Sequence, residues 1–572
     1  MPFPLRLCVP AVILFLFLFS SLVFSQEENV PVGNPVYLFL KRMEVKGIIE
    51  RYQDAVLPLS RREVARHLSS VAERDDGLTG AEREWLVDFL SEFRYDVSGT
   101  TAGLHRLIDS EEPTFGAAAG MLFSGREKYL YAHADSTVSF FVNGLLDFDA
   151  RRIRGDALGP RHAEFLQAGG RIRGTILGHL GYYAQWTNAQ FWGSKELLGR
   201  DPLISQSFAL QVTNIQNFDF AESYLRYGNE VVSAQVGRER VLWGTGYDQK
   251  MTLSENPRAF DFLRFDARYK GLKYTFMHAW LVGTPGRVQF SVPSDTTSLY
   301  AEEIAADKYF VAHRLDIAFG GVLTLGLQEM LIYGNRAPDL AYLNPLTIIE
   351  SSQRSRGERD NAYWALDLKL HCIPRVELTA GITYDDINVP DLFTSVWSDR
   401  YAWQAGLFYA DVFGIENTNL MVEYTRIEPF VYSHARSREG SYTNLDRLLG
   451  LRIGPNADSW FFRTDFLPER NLMLSARVSF VRKGENVLDA AGLLVRNVGS
   501  NPFVPHRDVD PRTKKFLDGE LFHSGLLEFL ATWEIVNQIW LDARYQYDWA
   551  ENRQTGAGNR NHLIDIRLRT EF

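Results

Sequence analysis

Enzymatic or metal chemistry needs side chains that converge, and this chain offers few sets at the right spacing. Asp385-Asp386 follows an alternating run ending at Tyr384. Consecutive strand residues point to opposite faces, whereas the carboxylates of a glycosidase must face each other across the bond they cleave. The pair reads better as the start of a loop, with contact to a glycan or a divalent ion as its chemical use. His371-Cys372 fails as a metal pair for the same reason. The other histidines stand alone, and H-E-x-x-H, C-x-x-C, G-x-S-x-G, phosphate-loop and dinucleotide fingerprints are absent. The residues therefore point to a non-enzyme with no cofactor and no metal. The remaining conspicuous set is Trp243-Gly244-Thr245-Gly246-Tyr247, which places two aromatics beside flexible glycines after Val232, Ala234 and Val236. It can be a loop folded inward with Trp243 or Tyr247 stacked on a sugar ring. It can equally be a glycine-permitted turn whose aromatics plug an interior.

The first 25 residues set the compartment that these groups would work in. Arg6 supplies a positive start, Ala11 to Phe19 is unbroken apolar sequence, and Val23-Phe24-Ser25 offers a small-residue cleavage site before Gln26. This predicts a cleavable leader, too short to span a membrane. Cys8 lies within it without a lipoprotein context, and its removal leaves Cys372 alone, so an intramolecular disulfide is excluded. The net charge of −10 with scattered basic residues excludes nucleic acid as a partner. Beyond the leader no stretch approaches a membrane helix, so a membrane location requires closed strands.

The elements follow from periodicity. Between 34 and about 95 the spacing predicts three short helices. Their start signals are Asn34-Pro35, Ser60 with Glu63, and Thr79 with Glu82. From about 138 the period becomes two. Ile172, Gly174 and Ile176 alternate with Arg171, Arg173 and Thr175. Leu263, Phe265, Ala267 and Tyr269 alternate with Arg264, Asp266, Arg268 and Lys270. Trp364 to Leu370 and Val376 to Tyr384 flank a turn at Ile373-Pro374-Arg375. Repeated segments of this kind predict a mainly β fold, a transmembrane antiparallel barrel of about 18 strands with a polar, charged interior. Tyr269, Trp280, Tyr384, Tyr401, Trp403 and Trp549 suit its interfacial girdles. Ile564, Ile566, Leu568, Thr570 and Phe572 share one face of a last strand that resembles the C-terminal signal read by the barrel-assembly machinery. The predicted division is a leader at 1–25, a helical domain at 26–110 that plugs or braces the periplasmic end, and a barrel at 111–572. Segments 282–307, 428–445, 483–523 and 549–560 are expected outside the membrane. Counting back from Phe572 and forward from the 373–375 hairpin gives parities that disagree by one strand within 446–482.

Several motifs in order resemble the capsule-assembly Wzi family of outer-membrane barrels. They are Gly237 through Trp243-Gly244-Thr245-Gly246-Tyr247, Leu253-Ser254-Glu255-Asn256-Pro257, Leu343-Asn344-Pro345, Asp360-Asn361, Tyr384-Asp385-Asp386, Glu423-Tyr424-Thr425-Arg426, and Leu449-Gly450 with Gly454-Pro455-Asn456-Ala457-Asp458. The family usually shows W-G-P-G where this chain has Thr245. The resemblance implies lectin-like retention of capsular or other surface polysaccharide by outer loops. The candidate glycan contacts are Trp243, Tyr247, Asn256, Asn344, Asp385, Asp386 and Arg507. Besides the polysaccharide, the expected partners are outer-membrane lipid, lipopolysaccharide and the assembly machinery through Phe572. The competing expectation is a porin or solute-uptake channel that uses the charged interior.

Overall fold

The computed structural model describes residues 26–572 apart from 109–119, 121, 202–203, 207–216, 284–285, 292–298, 305–306, 356, 358, 388 and 435–437. The leader expected at 1–25 lies outside the described residues. Eighteen antiparallel strands close into a barrel. They are β1 (Ser139–Gly155), β2 (Arg161–Ile176), β3 (Leu180–Gly193), β4 (Asn217–Gly228), β5 (Val232–Glu239), β6 (Phe260–Tyr269), β7 (Leu272–Val282), β8 (Asp307–Phe319) and β9 (Leu323–Gly334). The second half comprises β10 (Asn361–Ile373), β11 (Val376–Asp385), β12 (Tyr401–Ala410), β13 (Thr418–Ile427), β14 (Ala457–Glu469), β15 (Leu472–Glu485), β16 (Glu520–Val536), β17 (Ile539–Asn552) and β18 (Gly558–Glu571). Short turns join them at one end and long loops at the other, the arrangement of outer-membrane barrels.

The wall follows from strict alternation. On β18, Ile564, Ile566 and Leu568 are exposed on the outside, while Asp565, Arg567 and Arg569 face inward. Leu146, Phe148, Leu366, Phe462, Val478 and Phe529 continue the outer apolar band around the circumference. Among the described residues no helix is long and apolar enough to cross a membrane; strands carry this apolar surface. The seam pairs Leu145–Gly155 of β1 with Asn561–Glu571 of β18. Below it, the Phe572 amide donates to the Gly144 carbonyl at 3.0 Å, and a four-residue strand, Tyr131–Ala134, covers the first residues of β1.

The parity conflict resolves within 457–485. Two strands, β14 and β15, turn at Arg470-Asn471, so 428–456 in full and 486–519 both emerge at the long-loop end. Pro468 and Glu469 sit just before that turn and interrupt the alternation by which the two strands would be told apart.

Four helices, α1 (Val36–Val45), α2 (Arg61–Ala72), α3 (Gly80–Glu92) and α4 (Arg94–Ser98), stop the short-turn end. The Asn34 side chain accepts from the Val36 amide at 2.9 Å, Ser60 caps α2, and Thr79 forms a reciprocal capping box with Glu82. Val36, Phe39, Leu40, Met43, Val64, Leu68, Leu86, Phe89 and Phe93 pack into one apolar cluster. Its charged surface is fastened to the barrel. Arg42 donates to Glu82 at 2.6 Å and pairs with Asp411, and the Trp85 indole donates to the Arg470 carbonyl at 2.7 Å. Arg62 donates to the Gly178 carbonyl at 2.9 Å, and Glu63 pairs with Arg268 at 2.6 Å. The helices are thus a built floor across the barrel mouth.

Candidate functional site

Three of the long loops turn back into the barrel, and the first of them seats Leu197, Leu198 and Ile204 on the inward faces of Ile153, Phe165, Phe191 and Phe218. Residues 240–259 run inward, with Trp243 pairing Val56 on one side and Leu253 on the other. They rest on wall glycines: a Cβ on Gly381 would strike the Met251 methyl, and one on Gly406 would stand 2.8 Å from the Tyr247 ring. Residues 428–456 follow them, contrary to the expectation that 428–445 lies outside. Val431, Tyr432, Tyr442, Leu449 and Leu451 are buried against Met251, Leu253 and the inward faces of Phe262, Met277, Phe310, Met330 and Tyr363. An apolar core therefore fills part of the barrel interior along β6 to β13, bordered by buried polar groups such as Arg314, Asp367, Glu377 and Glu423.

The opposite interior, along β15 to β18 and the short-turn half of β1 and β2, is charged and partly accessible. Its groups pair as Arg567–Asp147, Arg544–Asp565, Arg171–Glu571 and Arg569–Asp542, the last at 2.6 Å. Arg171, Arg264, Arg268, Arg567 and Arg569 all face inward, as their alternation predicts.

The expected site residues do not converge. Trp243 is completely buried in the core, which removes it as an open stacking surface; its seat is that of a plug residue. Tyr247 lies in the interior and donates to Glu377 at 2.9 Å. The Asn256 side chain donates to the Leu448 carbonyl at 2.8 Å and so ties 240–259 to 428–456. Asp385 is buried, accepting from the Tyr432 amide at 2.6 Å with Arg400 at 3.4 Å. Asp386, at φ 53°, leaves the strand and meets the same arginine from the rim at 2.8 Å. Asn344 sits on the outside of the barrel wall, where its side chain accepts from the Leu346 amide at 3.1 Å. Arg507 lies in the long loop after β15, paired with Asp510 at 2.7 Å.

Around Asp386 and Arg507 three loops knit into one surface. Trp397 in loop 386–400 donates its amide to the Arg512 carbonyl at 3.0 Å, and Lys514 donates its amide to the Ser395 carbonyl at 2.7 Å. The Phe430 amide donates to the Gly499 carbonyl at 2.8 Å. The Trp397 and His506 rings stack at 4.1 Å and 6°. Phe430 packs edge-on to both, and the Arg400 guanidinium lies 6.0 Å from the indole. Phe393 stands exposed nearby against Tyr384 and Tyr401. Burial pushes the Asp510 carboxyl up, but the hydrogen bonds from Arg507 and Asn497 outweigh it and keep it below the usual range. Burial lowers the Lys514 ammonium, with Glu428 at 3.2 Å opposing the shift. Rings, fixed charges and partly exposed donors on a rigid base suit sugar faces and hydroxyls. Trp397 was missed from sequence; the available signal was a second aromatic beside Phe393 in a short rim loop.

Among the described residues one cluster has metal-like spacing: Glu44, His371 and Glu377, with ligand atoms within 4.8 Å of one another. Lys41 approaches Glu377 at 2.9 Å and Lys369 approaches Glu44 at 2.9 Å, so ammonium groups already occupy the place of a cation. The cluster locks α1 to the wall.

The sequence model of the family described as capsule assembly protein Wzi matches residues 149–563. The chain belongs to the Wzi family. No curated protein matches the sequence. Wzi of Escherichia coli, an outer membrane protein involved in group 1 capsule assembly and a carbohydrate binding β-barrel, is similar in fold. The TM-score is 0.53 at 10% identity, over 94% of this chain and 98% of that one. Pseudomonas aeruginosa OpdK, solved with vanillate, gives 0.43 at 12% identity over 75% of this chain and 99% of that one. A BenF-like porin from Pseudomonas fluorescens gives 0.42 at 11% identity over 75% and 99%. In this Wzi-family barrel the matched span takes in the barrel from within β1 to within β18, including the inward loops and the rim surface.

Proposed function

We propose that this barrel resides in the bacterial outer membrane and retains capsular or related surface polysaccharide, without catalysing a reaction on it. The observation that carries this is the knitted rim surface around Trp397, His506, Asp386 and Arg507, held on a barrel with inward-turning loops packed along β6 to β13. A sugar ring lies on an aromatic face, its hydroxyls bond to carboxylates and guanidinium groups, and each contact is weak. A repeating polymer engages many copies of the site, so avidity supplies retention. Export by the leader at 1–25, folding through the assembly machinery with Phe572, and lipopolysaccharide as a neighbour belong to the same proposal.

Fractionation of glycan between cells and medium tests it. Loss of the protein should move surface polysaccharide from the cell-bound to the shed pool with total synthesis unchanged. Trp397→Ala with His506→Ala should reproduce most of that shift while the barrel still folds. Unchanged attachment in the deletion strain would sink the proposal.

The accessible charged interior along β15 to β18 favours a second reading, passage of a charged solute. Planar-bilayer recording separates the two: the closed reading expects no steady currents of porin size, and large open-channel steps would establish the second.

A further inference from the structure

The loop between β9 and β10 takes a different course from the loops that turn inward. Residues 335–355 fold down the outside of the wall, carrying two short helices, Leu340–Leu343 and Ile349–Ser355. Beneath them Phe276, Tyr309, Val311, Leu331, Tyr333 and Ala362 point outward yet are buried, packed with Tyr342 and Ile349. The loop is pinned by polar groups of the wall. Glu329 accepts from the Ile349 and Glu350 amides at 2.9 and 2.5 Å, and Tyr274 donates to the Pro345 carbonyl. Tyr342 donates to Asp360 at 2.9 Å, which also pairs with Arg336 at 2.6 Å. Irregular backbone at membrane depth persists only when its amides and carbonyls are satisfied by protein, and these contacts do that.

What the hairpin turns outward is sorted by height. Leu340, Leu346 and Ile348 are 82%, 85% and 63% exposed, and they continue the apolar band of Leu327 and Leu366. The helix starting at Ile349 is anchored at Glu329, which pairs across the sheet with Trp364. Gln353 near the end of this helix donates to the Asp360 carbonyl at 2.6 Å, beside Asn361 at the rim. Arg354 in this helix is 66% exposed with Glu350 beside it at 2.7 Å, and Arg359, next to Asp360, is exposed too. Apolar groups below and guanidinium groups above match one kind of outer-leaflet molecule, acyl chains beneath a phosphorylated sugar head.

We propose that this outer-wall hairpin is a binding site for a phosphorylated, multiply acylated glycolipid, with chains along Leu340, Leu346 and Ile348 and phosphate on Arg354 and Arg359. The site rests on the outer-membrane reading and lies on the opposite face of the wall from the rim surface. Two guanidinium contacts to a membrane phosphate correspond to about a thirtyfold change in affinity.

The test places the full chain in phosphatidylcholine nanodiscs with lipid A as the probe and counts bound lipid by native mass spectrometry. The wild-type protein should retain lipid A, and Arg354→Glu with Arg359→Glu should weaken retention by about thirtyfold. Leu346→Asn with Ile348→Asn should also release it, while heat-modifiable migration shows that both variants remain folded. Equal retention by the charge-reversed protein would overturn the site. So would displacement of lipid A by phosphatidylglycerol at equal concentration, since that is attraction to any anionic lipid. Failure of the wild-type chain to insert at all would defeat the outer-membrane reading, a different result from insertion without lipid A.

Discussion

The two halves of the barrel interior are built on opposite principles. Along β6 to β13 the inward faces are buried, with Phe262, Met277, Phe310, Met330 and Tyr363 closed over by loops that return from the rim. Along β15 to β18 and β1 they are Arg477, Glu528, Asp542, Arg544, Arg567 and Asp147, paired but reachable. Cation and carboxylate pairs occur in both halves, yet their surroundings differ. Arg314, between Asp316 and Asp367 at 2.7 Å each, is 0% exposed; Arg569, beside Asp542, is 36% exposed. The difference shows that barrel closure leaves the interior unspecified: one half has become a protein core and the other a lined cleft.

Removing one arginine from each half gives the largest contrast. Arg314→Met strands two buried aspartates and should cost about 3–5 kcal/mol in detergent unfolding. Arg569→Met, at an accessible pair, should cost less than about 1 kcal/mol. If the two losses are equal, the halves are not different environments. A cavity comparison comes next. Met251→Ala should lose about 2–3 kcal/mol because the inward loop cannot collapse onto Gly381, whereas Met473→Ala on the accessible side should lose under about 1 kcal/mol. Accessibility can then be read directly. In a Cys372→Ser background, Ser479→Cys should react with a charged thiol reagent in the folded barrel, and Thr383→Cys should remain protected until unfolding.

The smallest effect concerns the floor beneath both halves. Burial pushes the His67 imidazole down to about 4 from its ordinary 6.5, and its ring meets Tyr52 edge-on at 5.5 Å. A depressed folded value means that the contribution is complete above pH 6.5 and is lost as pH falls through 6.5 towards 4. Burial of Asp54 opposes its charge, but Lys369 and Lys41 outweigh that and hold the carboxyl far below its ordinary 3.8, so its loss begins only in stronger acid. Amide exchange in α2 should therefore accelerate between pH 6.5 and 4, and His67→Gln should flatten that rise.

Most of the wall was legible because alternation is a local signal. Ile564, Ile566 and Leu568 against Asp565, Arg567 and Arg569 declare both faces of β18 without any partner strand. The helix starts were legible for the same reason, since Ser60 and Thr79 act on amides three residues away. The interior was not legible. Tyr247 and Met251 carry no period, and their seats depend on glycines more than a hundred residues away at 406 and 381. Asn344 looked like a rim residue because loop length says nothing about whether a loop folds inward, outward or down the wall. Of the proposed rim surface, Asp386 and Arg507 were legible as loop residues, but the place of Trp397 depends on its stack on His506.

The seam between β1 and β18 sets the order in which this molecule can form. Its partners are separated by about the whole length of the barrel sequence, and contacts of such long range are slow to find. Until Asn561–Glu571 docks on Leu145–Gly155, the sheet has two open edges with unpaired amides and carbonyls, each a template for another chain. A chain shortened by its last strand would then be an open ribbon that recruits its neighbours into aggregates. Keeping those edges apart in transit is a kinetic requirement that the finished cylinder no longer displays.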